Sequence, residues 1–167
     1  MTTEDLKRLV ADGETLAVEF KGEEKGPLDD KDLVEAVTCL ANRPGDAVGY
    51  LIIGVEDDGR VTGARPRHPG GITDIARIQA LIANRTRPSI TCGAEVVALP
   101  EGDVLVIEVH PTRVPVGTTE GRYLRRTLGG RGGEGGSASS WTNLNRNILL
   151  DTSVIIDGRV GDIAKTG

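Results

Sequence analysis

The chain has 167 residues, 38% of them hydrophobic, and a formal net charge of −5. That length supports one sizeable core with appendages, and the acidic total argues against a protein that coats nucleic acid by overall positive charge. Its aromatics are Phe20, Tyr50, Tyr123 and Trp141, too few for serial stacking of unpaired bases. The N-terminal stretch MTTEDLKRLVADGE is charged throughout, and no segment reaches the length of a membrane helix. The expectation is a soluble, cytoplasmic protein that makes no membrane contact.

In chain order, Thr3 to Ala11 forms a first short helix, with Thr3 as its cap and Leu6, Leu9 and Val10 as its apolar stripe. A strand follows from Leu16 to Lys21 and alternates, with Leu16, Val18 and Phe20 on one face and Ala17, Glu19 and Lys21 on the other. KGEEKGPLDD is a charged loop, after which Asp29 or Asp30 caps a second helix. Leu33, Val34, Val37, Leu40 and Ala41 form one face of that helix, and ANRPGD ends it. Val48 to Val55 is a strand apolar on both faces, suited to the middle of a sheet, with a turn at EDDG and a short strand through Val61. GITDIARIQALIANRTRPS supplies a third helix, capped by Thr73, with Ile75, Ile78, Leu81 and Ile82 inward. AEVVALP and DVLVIEVHP are strands joined by the tight turn PEGD, and GRYLRR is a last short strand. This order predicts an α+β fold, a mixed β-sheet with helices packed mainly on one side.

The composition then breaks. Gly129 to Ser140 is Gly/Ser-rich, which predicts a flexible linker over 129–146 between a domain at 1–128 and a fragment at 147–167 too short to bury itself.

Charge is distributed unevenly. Met1 to Arg60 holds 7 basic against 15 acidic residues, whereas Val61 to Arg131 holds 10 against 6, every basic residue there being arginine. Arginine suits bidentate phosphate contact, although codon bias would enrich it equally. Cys39 and Cys92 have no CxxC spacing and no nearby histidine, so two buried thiols are expected. His68 and His110 fall in unrelated elements and read as surface residues, and the serines at 137, 139 and 140 have no triad scaffold. GVEDDGRVTG is neither a Walker A loop nor a dinucleotide fingerprint, since no GKS or GKT follows and no helix opens from it.

Three blocks carry a resemblance. GETLAVEFK, LVEAVTCLANRPGDAVGYLIIGVEDDGRVTG and VLVIEVHPTRVPV with GRYLRR resemble the signature blocks of the Schlafen AlbA-type domain over the first 128 or so residues. The sequence departs from the pattern at Cys39-Leu40-Ala41-Asn42, at PGDAVG and at RRTLGGRGG. The resemblance implies a bacterial nucleic-acid-binding module of a transcriptional regulator or defence protein, described in some members as ATP-binding. In some vertebrate Schlafen proteins it implies instead a three-carboxylate endoribonuclease. The carboxylates carried over would be Glu14, Glu19 and Asp57, or Asp58 in place of Asp57, and would hold Mg²⁺ or Mn²⁺ to activate water at a phosphate.

The residues themselves leave both outcomes open. Glu19 and Lys21 can be a surface ion pair, and EDDG is ordinary turn chemistry. The candidate backbone-binding residues are Lys21, Arg85, Arg87, Arg122, Arg125 and Arg126. Arg125 and Arg126, adjacent on a strand, must point to opposite faces. ILLDTSVIIDGRVGDIAKTG resembles the opening of a PIN-type nuclease domain, whose Asp151 and Asp157 are expected to be inactive in so short a piece. A homodimer through an exposed sheet edge is a further expectation.

Overall fold

A computed structural model describes residues 1–126 and the backbone of Trp141–Asn143. The PIN-like fragment, with Asp151 and Asp157, lies outside the described residues.

Helix α1 spans Thr3–Asp12 and is capped one residue earlier than the sequence suggests. Thr2 accepts from the Asp5 amide at 3.1 Å while the Asp5 carboxylate accepts from the Thr2 amide at 3.3 Å, a reciprocal capping box. Strand β1 spans Val18–Lys21, α2 spans Asp30–Ala41 with Asp29 as cap, and β2 spans Gly49–Ile53. Helix α3, Ile75–Arg85, is capped by Asp74 rather than Thr73. A two-residue strand β3, Thr86–Arg87, follows it directly. Strands β4, Gly93–Leu99, and β5, Gly102–Val109, form the expected hairpin. The last elements are β6 at Gly117–Thr118, β7 at Leu124–Arg126 and β8 at Trp141–Asn143.

The main sheet has the order β1-β2-β5-β4. β1 and β2 run parallel, which requires a crossover, and α2 supplies it. The other two pairings are antiparallel. β2 lies between β1 and β5 with Leu51, Ile52 and Ile53 all fully buried, as its two-sided apolar sequence anticipates.

Alternation along the strands divides the core in two. Leu51, Ile53, Leu105 and Ile107 pack against Leu33, Val37 and Leu40 of α2 and Ile78 and Ile82 of α3. Val18, Phe20, Ile52 and Val106 pack on the other face against Leu6 of α1. Two helices on one face and one on the other give the mixed sheet covered mainly from one side. Among the described residues no helix is long and apolar enough to cross a membrane.

Three local readings change. The strand expected through Val61 is a single bridge between Val55 and Val61. β3 pairs with β6 in a small ribbon that no sequence period announced. β8, inside the stretch expected to be linker, pairs with β7. Cys39 and Cys92 are free and buried.

A candidate nucleic-acid interface and the acidic cluster beside it

Because Val18 and Phe20 face α1, Glu19 faces α2 and is only 1% exposed. An isolated carboxylate there would be costly, and two cations offset it. Lys21 Nζ lies 2.7 Å from Glu19 Oε1, and Arg126 Nη2 lies 2.9 Å from Glu19 Oε2. Both contacts have ion-pair distances without well-aligned hydrogen bonds at the carboxylate. Arg126, itself buried, also donates through Nη1 to the Val18 carbonyl at 2.7 Å. Glu14 Oε1 accepts the Phe20 amide at 2.8 Å and lies 3.8 Å from Arg126 Nη2. The Cys39 thiol is pushed far up in pKa, first by burial and then by the Glu19 charge, which places that carboxylate's field against α2. Burial alone raises Cys92 to about 11.

A divalent metal does not fit this arrangement. Among the described residues no group of three or more His, Cys, Asp or Glu side chains is placed to hold one. Glu19 is neutralised by Lys21 and Arg126, so an incoming dication would meet two cations already on the carboxylate. Asp57 is exposed in the turn after β2, and in the same turn Asp58 accepts the Arg60 amide at 2.9 Å, the turn role open to it from sequence. Glu14, Glu19 and Asp57 are therefore not assembled as a metal centre, and no chemical step is derived through Mg²⁺ or Mn²⁺.

The six basic candidates separate into two groups. Arg126 and Lys21 serve Glu19 in the interior, and Arg122 is paired with Glu35 of α2. Arg85, Arg87 and Arg125 are exposed and have no ion pair among the described residues. Backbone pairing gathers their segments at one corner. Arg87 pairs with Gly117, Thr119 donates its amide to the Arg85 carbonyl at 2.9 Å, and Gly117 bridges to Tyr123. The Tyr123 ring packs closely on Gly117, where a Cβ would lie 2.9 Å from it and the ring would have to shift. On β7, Leu124 and Arg126 are buried while Arg125 points outward, the alternation expected of a strand.

Sequence reasoning missed the residue that ties this corner to the core. Asn42, just after α2, donates through Nδ2 to the carbonyls of Val116 at 2.7 Å and Leu124 at 2.8 Å, and its Oδ1 accepts the Val116 amide at 2.8 Å. The available signal was an asparagine ending an amphipathic helix, which reads as a cap before it reads as a cross-link. Beside the acidic cluster, Lys21, Leu28, Asp32 and Glu35 line a cavity of about 150 Å³. With two carboxylates to one lysine, its charge suits a phosphate poorly.

With this geometry in view, the family model described as Schlafen, AlbA_2 matches residues 14–131. The chain belongs to the Schlafen AlbA_2 family. A similar solved structure is the DIP2311 protein from Corynebacterium diphtheriae, with a TM-score of 0.57 and 25% identity over 85% of this chain. The chain spans only 25% of that protein's length. Another is the N-terminal domain of an ATP-dependent DNA helicase RecG-related protein from Nitrosomonas europaea, at TM-score 0.47 and 22% identity, covering 83% of this chain and 91% of that one. No curated protein matches the chain.

In this AlbA_2 domain the matched span opens at Glu14 and takes in the whole main sheet, α2, α3 and the β3–β6 ribbon, whereas α1 precedes it. The acidic opening block is thus folded inward, and three exposed arginines sit on the segments that meet at the ribbon corner. Such a corner can supply electrostatic affinity for a polyanion through guanidinium–phosphate contacts.

Proposed function

We propose that this AlbA_2 domain binds the phosphate backbone of nucleic acid through Arg85, Arg87 and Arg125, as a module of a bacterial regulator or defence protein. The observation that carries the reading is the gathering of exposed arginines from two segments, about 40 residues apart in sequence, at the β3–β6 ribbon and β7. Family membership supports it, since bacterial domains of this type are described as DNA-binding. Arg122, paired with Glu35, borders the surface, while Lys21 and Arg126 support it from within. Contacts of this kind give affinity without sequence reading.

The endoribonuclease reading has one supporting observation, the closeness of Glu14 and Glu19 to the same arginine, but lacks an assembled donor set. ATP binding has less support. The turn after β2 leads into the Val55–Val61 bridge rather than into a helix N-terminus that could cradle phosphates.

The test is fluorescence anisotropy of the full chain with duplex DNA and with hairpin RNA across a salt series, beside Arg85→Ala/Arg87→Ala/Arg125→Ala. Losing three phosphate contacts should lower the slope of log affinity against log salt by roughly 2 to 3 and weaken binding by at least ~10-fold at low salt. Binding unchanged in the triple variant would overturn the assignment. Mn²⁺-dependent cleavage of the hairpin, lost in Glu19→Gln, would instead favour the nuclease.

A further inference from the structure

We infer that in this chain Glu14 and Glu19 are positioning residues. Together with Arg126 they latch β7 across the open edge of β1 and so fix the backbone that presents Arg125.

β1 is an edge strand of the main sheet, paired with β2 on one side alone. The Ala17 carbonyl accepts the Tyr50 amide and the Lys21 carbonyl accepts the Gly54 amide, so the intervening backbone groups of Val18 and Phe20 alternate away from β2. These outward groups are the ones a foreign strand would capture. The Val18 carbonyl accepts the Thr15 amide at 3.0 Å and the Val18 amide donates to the Thr15 carbonyl at 3.4 Å, and side chains reach two of the outward groups. Glu14 takes the Phe20 amide at 2.8 Å, and Arg126 gives a hydrogen bond to the Val18 carbonyl at 2.7 Å. The same guanidinium then meets Glu19 at 2.9 Å and Glu14 at 3.8 Å. One arginine from β7 therefore bridges a backbone carbonyl and two carboxylates of the opening block, more than 100 positions earlier in the chain. Lys21 balances the second oxygen of Glu19.

The latch is one of two side-chain attachments that tie this very short strand to α2 and β1, in addition to its backbone pairing with β8. Asn42 holds the Leu124 carbonyl, and the Glu14–Glu19 pair holds Arg126. Arg125 lies between these two fixed residues with its side chain outward. Loss of either anchor removes one of the ties from β7 to the main body of the fold, and a buried ion pair broken on one side leaves an uncompensated charge as well. The signature carboxylates thereby act on a ligand through Arg126 and β7 and do not touch it. Only the consequence for ligand binding rests on the proposed function. The latch itself does not.

Hydrogen exchange followed by mass spectrometry on the full chain separates the two. In Glu19→Gln, segment 117–126 should exchange at least ~10-fold faster while α2, β2 and β5 keep their protection, because local opening proceeds without global unfolding. Arg126→Met, which keeps an apolar stem and removes the charge, should give the same pattern. Arg126→Lys should restore part of the protection. In the binding assay both loosened variants should lose several-fold affinity for duplex DNA in proportion to the exchange change. Unchanged protection of 117–126 in both Glu19→Gln and Arg126→Met would overturn the latch. So would equal loss of protection throughout α2 and β2, since Glu19 would then determine the whole fold. A wild-type chain that binds no nucleic acid but shows the selective loosening would overturn the proposed function and leave the latch standing.

Discussion

Glu23 and Glu24 are neighbours in one charged loop with opposite fates. Glu24 is exposed and pairs with Arg60 at 2.7 Å. Glu23 is 2% exposed, accepts the amides of Leu28 at 2.7 Å and Arg65 at 2.5 Å, and meets Arg67 at 3.4 Å. Little local distinguishes them, because apart from the Leu28 amide Glu23's side-chain partners stand 42 and 44 positions downstream. Its truncation strands two partly buried amides and takes a carboxylate from a largely buried arginine. Glu23→Ala should therefore cost about 3 to 5 kcal/mol, read as a lowered urea midpoint, whereas Glu24→Ala should leave that midpoint nearly unchanged. Equal effects would show that burial does not govern these two sites. Glu19 follows the same logic. Its alternation with Val18 and Phe20 was legible and placed it on one strand face, but whether that face met water, a metal or Arg126 was not.

At the scale of elements, the helices were the most legible features, because a 3.6-residue period and its caps are written locally. Asp29 was among the expected caps of α2, and it accepts the Asp32 amide at 2.7 Å. Asp29→Ala should destabilise the chain by about 1 kcal/mol, and Asp29→Ser should recover most of that loss in the same thermal melt. A null effect of Asp29→Ala would mean that α2 is held by its packing alone. The caps of α1 and α3 fell one residue from expectation, since Thr2-Thr3 and Thr73-Asp74 each offer two competent neighbours. The β3–β6 ribbon went unread for a different reason. Strands of two residues have no period, and their existence rests on pairings across about 30 residues. This ribbon nevertheless positions the exposed arginines, so the candidate site was legible as a set of residues and not as a surface.

For the whole molecule, the charge asymmetry along the sequence turns into a spatial one. The acidic first third contributes the interior cluster and its flanking cavity, while the arginine-rich middle contributes the exposed corner. Since no donor set for a divalent ion is assembled among the described residues, millimolar Mg²⁺ should shift the melting temperature by less than about 1 °C. A tightly held ion at 100 times its Kd would add about 2.7 kcal/mol. A rise of several degrees that Glu19→Gln abolishes would reinstate a metal at the acidic cluster.

The sequence by itself determined the mixed sheet, its central strand, the helix faces and the β4–β5 hairpin, because hydrophobic periodicity and turn chemistry act between near neighbours. Tertiary structure alone decided which charges are spent inside and which face outward. Glu19 became half of a buried ion pair because β7 returns Arg126 to the edge of β1. Arg85, Arg87 and Arg125 stay exposed, with no ion pair among the described residues. Electrostatic partnership depends on distance in space and on exclusion of water, and neither quantity is written in the spacing of residues along the chain.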